Sequence, residues 1–322
     1  MGMIREVSIV ARDEPAEPTL FSHRRGAPLP GGSQSMGQAM SILVVQALMR
    51  IRCHPALGSG PAIGSPGYAM PCIDQPRIIA VVEENLPALR DCGIHVEGPV
   101  GDGCVIIIDA TMPKLDLRCR FGGHPDCAAI VGLGESFAGT VTFAGPHGLF
   151  VSAGFGRAVG QAIGQAIGQV GAVSRINVMM EASCAAYFGL GVTSADSDWQ
   201  VEGDDKTPCA VIVGDDAMVS HAVACRNFSG HAMIDIARMA VINAPGHVSL
   251  GPHCWLREQA RIIGPLSIGA GSIIGVGSVV TGDMPEYVEA AGIPAQIVRE
   301  GVTWDRRRRP SAEEIKAMFA TD

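Results

Sequence analysis

The chain has 322 residues, of which 47% are hydrophobic, 17% charged and only 5% aromatic, with 41 glycines. Its formal net charge of −8 excludes a general nucleic-acid binder, whose phosphate affinity needs a basic face. The length suffices for one large domain or two ordinary ones, and the small and aliphatic side chains suit a tightly stacked repeat better than a helical bundle.

Residues 1–35 begin MGMIREVSIVARDE, with acidic residues where a secretory signal would carry an apolar run, and continue into the Pro-, Gly- and Ser-rich PLPGGSQS. This segment is expected to be flexible. The ten cysteines form no CxxC pair and no zinc spacing, so a reduced, cytoplasmic setting is expected, with the cysteines as small core residues. The longest apolar run, SILVVQALM (41–49), is far short of the ~20 residues of a membrane span. Helices are expected near 38–52 and 76–91, making residues 36–92 a small helical cap. A solenoid needs one, because its end coil would otherwise expose apolar side chains and strand edges.

From about Gly93 the spacing of apolar residues changes. Val131, Phe137, Phe143, Leu149 and Phe155 stand six apart, Val213 and Val219 resume the phase before Cys225, and Leu250, Leu256, Ile262, Ile268, Ile274 and Val280 carry it on without a gap. Cys254, Ala260, Ser272 and Ser278 supply a small residue four positions after an aliphatic, with Leu266 the misfit. A period of six fits neither a helix nor a simple strand. It fits a coil of three hexapeptides, roughly 18 residues, with the aliphatic pointing inward. The predicted fold class is mainly β: a left-handed parallel β-helix of hexapeptide repeats over 93–303, with the small N-terminal helical cap and a short C-terminal helix.

Two stretches break the phase. VGQAIGQAIGQV (159–170) repeats every four residues and is expected to leave the coil. SADSDWQVEGDDKTP (194–208) is polar and turn-rich and is expected to be a loop or broken coil. At the C-terminal end, residues 304–322 hold the run RRRR (306–309) and then SAEEIKAMFA (311–320), where Ser311 and Glu314 have capping-box spacing.

The landmarks VEGDD, VIVGDDAMVS, HAMID, INAPGHVSLGPHCWL, IGAGSIIGVGSVV and AGIPAQIVREGVTW follow one another in an order that resembles the hexapeptide-repeat acyltransferases, in the branch that O-acetylates cell-surface polysaccharides. The resemblance covers about residues 93–305. It implies homotrimers with active sites between neighbouring β-helices, acetyl-CoA as donor in the groove towards the C-terminal coils, no metal, and a histidine base, which by motif is His231. This chain differs from the common pattern in Ser229, Pro252, Arg257 and Gly282.

The implied reaction is transfer of an acetyl group to a sugar hydroxyl of a surface polysaccharide or its precursor. An imidazole suits the removal of the hydroxyl proton near neutral pH. Asp235 either orients that imidazole or caps a turn and pairs with Arg238. Trp255 either meets the sugar or packs between subunits. Alongside these catalytic candidates, His253, Arg257, Gly275, Ala291 and Arg306 are candidate substrate- or cofactor-binding residues. The arginine run is a solvated lead-in, a contact for an anionic membrane surface, or a contact for the phosphates of coenzyme A. Two alternatives share the fold: an N-acyltransferase acting on a nucleotide-linked amino sugar, and a non-catalytic scaffold. A zinc hydratase resembling the γ-class carbonic anhydrases would need two histidines five residues apart, and this chain has no such pair.

Overall fold

The computed structural model describes residues 49–58, 60–71, 73–112, 115–134, 137–155 and 174–319. The GQAI repeat (159–170) and the side chain of Phe137 lie outside the described residues, as does most of the helix expected at 38–52; its last residues, 49–52, are helical, as is 53.

Three sheets form the sides of a triangular prism. The first runs β1 (Pro76–Ala80), β3 (Val105–Asp109), β5 (Ala128–Val131), β7 (Leu149–Ser152), β9 (Ala185–Phe188), β12 (Ala210–Val213), β17 (Val248–Leu250) and β20 (Leu266–Ile268). The second runs β2 (Ile94–Glu97), β4 (Asp116–Phe121), β6 (Phe137–Phe143), β8 (Ser174–Met180), β11 (Ser197–Val201), β14 (Val223–Arg226), β19 (Arg261–Ile263) and β22 (Val279–Val280). The third runs β10 (Thr193–Ser194), β13 (Met218–Val219), β18 (Trp255–Leu256), β21 (Ile273–Ile274), β23 (Val288–Gly292) and β24 (Ala295–Glu300). From β10 onward the chain visits the third, second and first sheets in turn, and the pairing between coils is parallel. This is the left-handed β-helix expected from the repeats. Leu250, Leu256, Ile262, Ile268, Ile274 and Val280 all point into its core, and the misfit Leu266 is buried there too.

The upstream coils are larger and keep the six-residue count less faithfully. Leu149 does not point inward as expected: Phe150 takes the inner place, and Leu149 lies on the outer face of the first sheet. One extra residue between Phe143 and the next inner position is enough, because a shift of one exchanges the faces of a strand. The polar stretch 194–208 also holds more order than expected. Its residues Ser197, Trp199 and Val201 alternate inward to make β11, and the Trp199 indole N–H donates to Ser197 Oγ at 2.8 Å.

The expected helix over 76–91 is a strand followed by helical turns. The β-branched run after Pro76 forms β1, antiparallel to β3, and only Glu83–Asn85 and α1 (Leu86–Asp91) are helical. Leu89 of α1 is fully buried against the end of the core. Residues 51–73 lie along the side of the prism. Ile51, Ala56 and Leu57 pack on the outer face of the first sheet, against Ile107, Ile130, Val151, Tyr187 and Ile212. Tyr187 Oη donates to Ala69 O at 2.6 Å, and the Asp215 carboxylate accepts from Ala69 N at 3.0 Å. This cover explains why strands such as VIII and AVIV are apolar on both faces. At the far end β23 and β24 make an antiparallel hairpin. Helix α2 (Ala312–Met318) has the capping box expected at Ser311 and Glu314.

Candidate functional site

After β14 the chain leaves the prism at the edge between the second and first sheets and returns at β17. Asn227, fully buried, governs the departure. Its Nδ2 donates to Glu202 O at 2.8 Å and Gly246 O at 2.9 Å, and its Oδ1 accepts from Glu202 N at 2.8 Å. One side chain thus ties both ends of the excursion to the preceding coil. Gly230, at φ 77°, takes the left-handed turn that other residues adopt at a cost. Asn243 then fixes the arm from within, its Nδ2 donating to Ser229 Oγ and to His231 O, both at 2.8 Å, while its Oδ1 accepts from Met233 N. His231 is therefore held through its own backbone, with its side chain exposed.

Asp235 has a local role. It lies in β15 (Ile234–Asp235), which pairs with β16 (Ala240–Val241), and its carboxylate accepts from Arg238 N at 2.9 Å with the Arg238 guanidinium at 3.5 Å. It shapes the hairpin turn. An acid that does reach the arm is Glu202, whose Oε2 would stand 3.9 Å from a Cβ placed on Gly230, the residue before His231. Burial, then the neighbouring Glu181 carboxylate, push the Glu202 carboxyl above its ordinary pKa, while Arg226 and His231 pull the other way. The sequence contained Glu202 in the VEGDD landmark, but no spacing connects it to His231. Only the stacking of one coil on the next does so.

Trp255 and the remaining candidates occupy the third sheet, the side of the prism opposite the edge that carries His231. Thr193, Met218, Trp255, Ile273 and Glu289 form one outward file across that sheet. The Trp255 indole donates to Ser220 Oγ at 3.1 Å, and the Arg257 guanidinium lies 5.2 Å from its ring centre and 3.6 Å from Glu289. Gly275 and Ala291 face each other on adjacent coils so closely that a Cβ at Gly275 would stand 2.9 Å from that of Ala291. His253 and Arg306 are engaged in binding the C-terminal tail to the coils. His253 Nδ1 lies 2.7 Å from Asp216 Oδ2 and its Nε2 lies 2.9 Å from Trp304 O, while its ring stacks on Trp304 at 4.4 Å. Arg306 donates to Asp216 Oδ1 at 2.8 Å and to Thr193 Oγ1 at 2.9 Å. Burial opposes charging of His253, but the bonds to Asp216 and Trp304 O outweigh it and raise the imidazole pKa. Within one chain, then, the structure groups His231 with Glu202, and Trp255 with Arg257, Gly275 and Ala291, on two separate sides. Among the described residues no group of three His, Cys, Asp or Glu side chains is placed to hold a metal ion, and no helix is long and apolar enough to cross a membrane.

No protein-family model matches the chain. Galactoside O-acetyltransferase of Escherichia coli K12 is 32% identical over 97 residues, 30% of this chain and 46% of that protein. Polysialic acid O-acetyltransferase of E. coli O1:K1 is 36% identical over 98 residues, 30% of this chain and 32% of that protein. The chain thus matches less than half the length of either curated relative. Among solved structures, the polysialic acid-specific acetyltransferase NeuO superposes with a TM-score of 0.52 at 22% identity, over 67% of this chain and 84% of that one. The polysialic acid O-acetyltransferase OatWY superposes with a TM-score of 0.51 at 14% identity, over 70% and 94%. At these identities the solved structures show a shared fold, and over about a third of its length the chain is similar in sequence to two proteins named as O-acetyltransferases.

Proposed function

We propose that this chain is an acetyl-CoA-dependent O-acetyltransferase that acts on a hydroxyl of a saccharide, with His231 as the general base. The observation that carries the reading is the built arm: a buried asparagine clamps its root, a second asparagine fixes the histidine's backbone, and the imidazole is exposed, with the Glu202 carboxylate near the preceding turn at Gly230. Two relatives named as O-acetyltransferases support the same chemistry.

In the reaction His231 takes the proton of the acceptor hydroxyl as that oxygen attacks the thioester carbonyl. A C–O bond forms, the tetrahedral oxyanion collapses, the C–S bond breaks, and the imidazolium returns its proton to the departing thiolate. Glu202 stabilises the imidazolium between those two steps. Donor and acceptor meet directly, so no residue is acetylated on the way.

The working unit is a homotrimer whose sites lie between copies. His231 and Trp255 stand on opposite sides of one prism, so a second copy is what brings His231 to the Trp255 side. The arm is suited to that docking, because Met233, Ile236 and Met239 are 52%, 84% and 81% exposed. Coenzyme A fits the third sheet, where Gly275 and Ala291 keep the coil surface free of bulk. Arg308 and Arg309, both exposed, are the members of the arginine run that can meet its phosphates, since Arg306 is engaged with Asp216 and Arg307 with Asp305.

Calorimetric titration with acetyl-CoA, followed by acetyl transfer to sialic acid and galactoside acceptors, tests the reading. Binding near one per chain and an alkali-labile acetyl ester are expected. His231→Ala is expected to keep the melting temperature and lose a factor of about 10²–10⁴ in kcat. Near-normal turnover in that variant would remove His231 from the chemistry, and an alkali-stable product would reassign the chain to N-acyl transfer.

A further inference from the structure

Nine cysteines among the described residues are free, and acyl transfer uses none of them. Four stand at one corner of the prism, each just before a strand of the first sheet. Val105 pairs with Ala128, Ala128 with Leu149, Leu149 with Ala185 and Ala185 with Ala210, so the preceding residues make a file of Cys104, Cys127, Gly148, Cys184 and Cys209. Backbone bonds run on through it, from Val105 N to Cys127 O at 3.0 Å and from Ala185 N to Cys209 O at 2.9 Å. Gly148 divides the file into two pairs of neighbours, Cys104 with Cys127 and Cys184 with Cys209. All four cysteines are buried.

Neighbours stacked in this way have Cα atoms about 4.8 Å apart, inside the span of roughly 4.4–6.8 Å that a disulfide bridges, and their side chains point the same way. Both pairs meet that condition, and their chemistry separates them. The Cys104 and Cys127 sulfurs converge on one carbonyl oxygen, that of His124, at 3.3 and 3.9 Å. The two thiols also bond each other. The bond from Cys127, against the opposing effect of burial, holds the Cys104 thiol down at about 7. Cys127 is pushed well up, first by Cys104 and then by burial, so the pair releases one proton near neutral pH and keeps the other. Cys184 and Cys209 lack this bond. Burial pushes them up to about 12 and about 11, and Cys209 Sγ donates instead to Thr207 O at 3.4 Å. The first pair is also one residue from solvent, since Gly103 and Asp126 are exposed.

We propose that Cys104 and Cys127 are a reversible oxidation site, where a small hydroperoxide converts the two thiols into a disulfide that joins the coil of β3 to that of β5. The Cys104 thiolate attacks one peroxide oxygen. The O–O bond breaks, Cys104 becomes a sulfenic acid, and the departing oxygen takes a proton from water. The Cys127 sulfur then attacks the Cys104 sulfur. The S–S bond forms, the S–O bond breaks, and the hydroxyl leaves as water with the proton that Cys127 gives up. Two electrons pass from the thiols to the peroxide, and a dithiol such as dithiothreitol returns them by exchange. The pair lies in the N-terminal coils, whereas the arm of His231 leaves the prism after β14, so the proposal holds whatever the acyl acceptor.

Peptide mapping of the folded, full-length chain tests this. After brief exposure to hydrogen peroxide, the protein is denatured with N-ethylmaleimide present and digested without reduction. A peptide pair joined through Cys104 and Cys127 is expected, and dithiothreitol added before denaturation should remove it. Cys184 and Cys209 should stay thiols at least about tenfold longer. The rate of bond formation should rise only about tenfold from pH 6 to pH 8, as a thiolate held at about 7 fills in. A thiol at the ordinary value of about 8.5 would give a rise of roughly eightyfold. Cys127→Ser keeps a hydroxyl to bond the Cys104 thiolate but cannot close the disulfide, so Cys104 sulfenic acid should accumulate and be trapped by dimedone. A Cys184–Cys209 bond that forms as fast would overturn the proposal, as would the steeper pH rise. So would a Cys104–Cys127 bond that forms only where circular dichroism shows unfolding, or a folded Cys127→Ser variant that gives no dimedone adduct at Cys104.

Discussion

Glu202 and Asp235 are two carboxylates with opposite expected effects on the same histidine. Asp235 is four residues from His231 in sequence, but its oxygens serve Arg238 in the hairpin turn. Glu202 is remote in sequence and lies behind the arm's root. Glu202→Gln removes a negative charge that stabilises the imidazolium, and kcat is expected to fall about tenfold or more while acetyl-CoA affinity holds. Asp235→Asn should leave kcat within about twofold, since the amide oxygen can still accept from Arg238 N. Steady-state kinetics of both variants decide it, and the reverse order would return the orienting role to Asp235. Asn227 belongs to the same scale. Asn227→Ala strands buried groups of Glu202 and Gly246 without their partners, at an expected cost of about 2–3 kcal/mol measured by denaturant unfolding. His231 was legible as a residue because a motif carries it. Asn227 and Glu202 were not, because their partners come from another coil and another end of the excursion.

At the scale of elements, the C-terminal tail is fastened by a charged histidine. With Nδ1 facing a carboxylate and Nε2 facing a carbonyl, both ring nitrogens of His253 must donate, which only the imidazolium can do. A raised pKa makes this contribution complete below the ordinary histidine value of about 6.5 and lost as pH rises through the folded value. Asp216 behaves oppositely. Burial raises its pKa, but the bonds to His253 and Arg306 outweigh that and depress it, so its contribution is lost as pH falls through the depressed value. The melting temperature should therefore decline from mildly acidic to mildly alkaline pH. His253→Phe, which keeps a ring for Trp304 to stack on, should flatten that decline. An unchanged slope in the variant would show that the tail does not depend on this proton. None of this lock was legible, because His253 and Trp304 are far apart in sequence and His253 sits at φ 57° in a coil turn. The coils from β17 to β22 were legible, since their hexapeptides are strict. The larger upstream coils were not: the phase slips at Leu149, and polarity conceals β11 at Ser197–Val201.

At the scale of the molecule, the separation of His231 from Trp255 yields a test that needs no acceptor identity beyond a working assay. If each site takes its histidine from one copy and its Trp255 side from the next, chains carrying His231→Ala and chains carrying Trp255→Ala are each defective at every interface. Mixed trimers differ. Wherever a Trp255→Ala chain presents its intact arm to a His231→Ala chain, the interface holds an intact His231 and an intact Trp255. Head-to-tail closure of a ring makes these contacts heterologous, so random mixing restores about a quarter of the sites. Co-expression of the two variants, or unfolding and refolding them together, should recover activity that simple mixing of preformed trimers does not. Recovery near a quarter of wild type places the site between copies. Absence of recovery, with mixed trimers confirmed by mass, would mean that one chain completes its own site and that the exposed arm bends back to it.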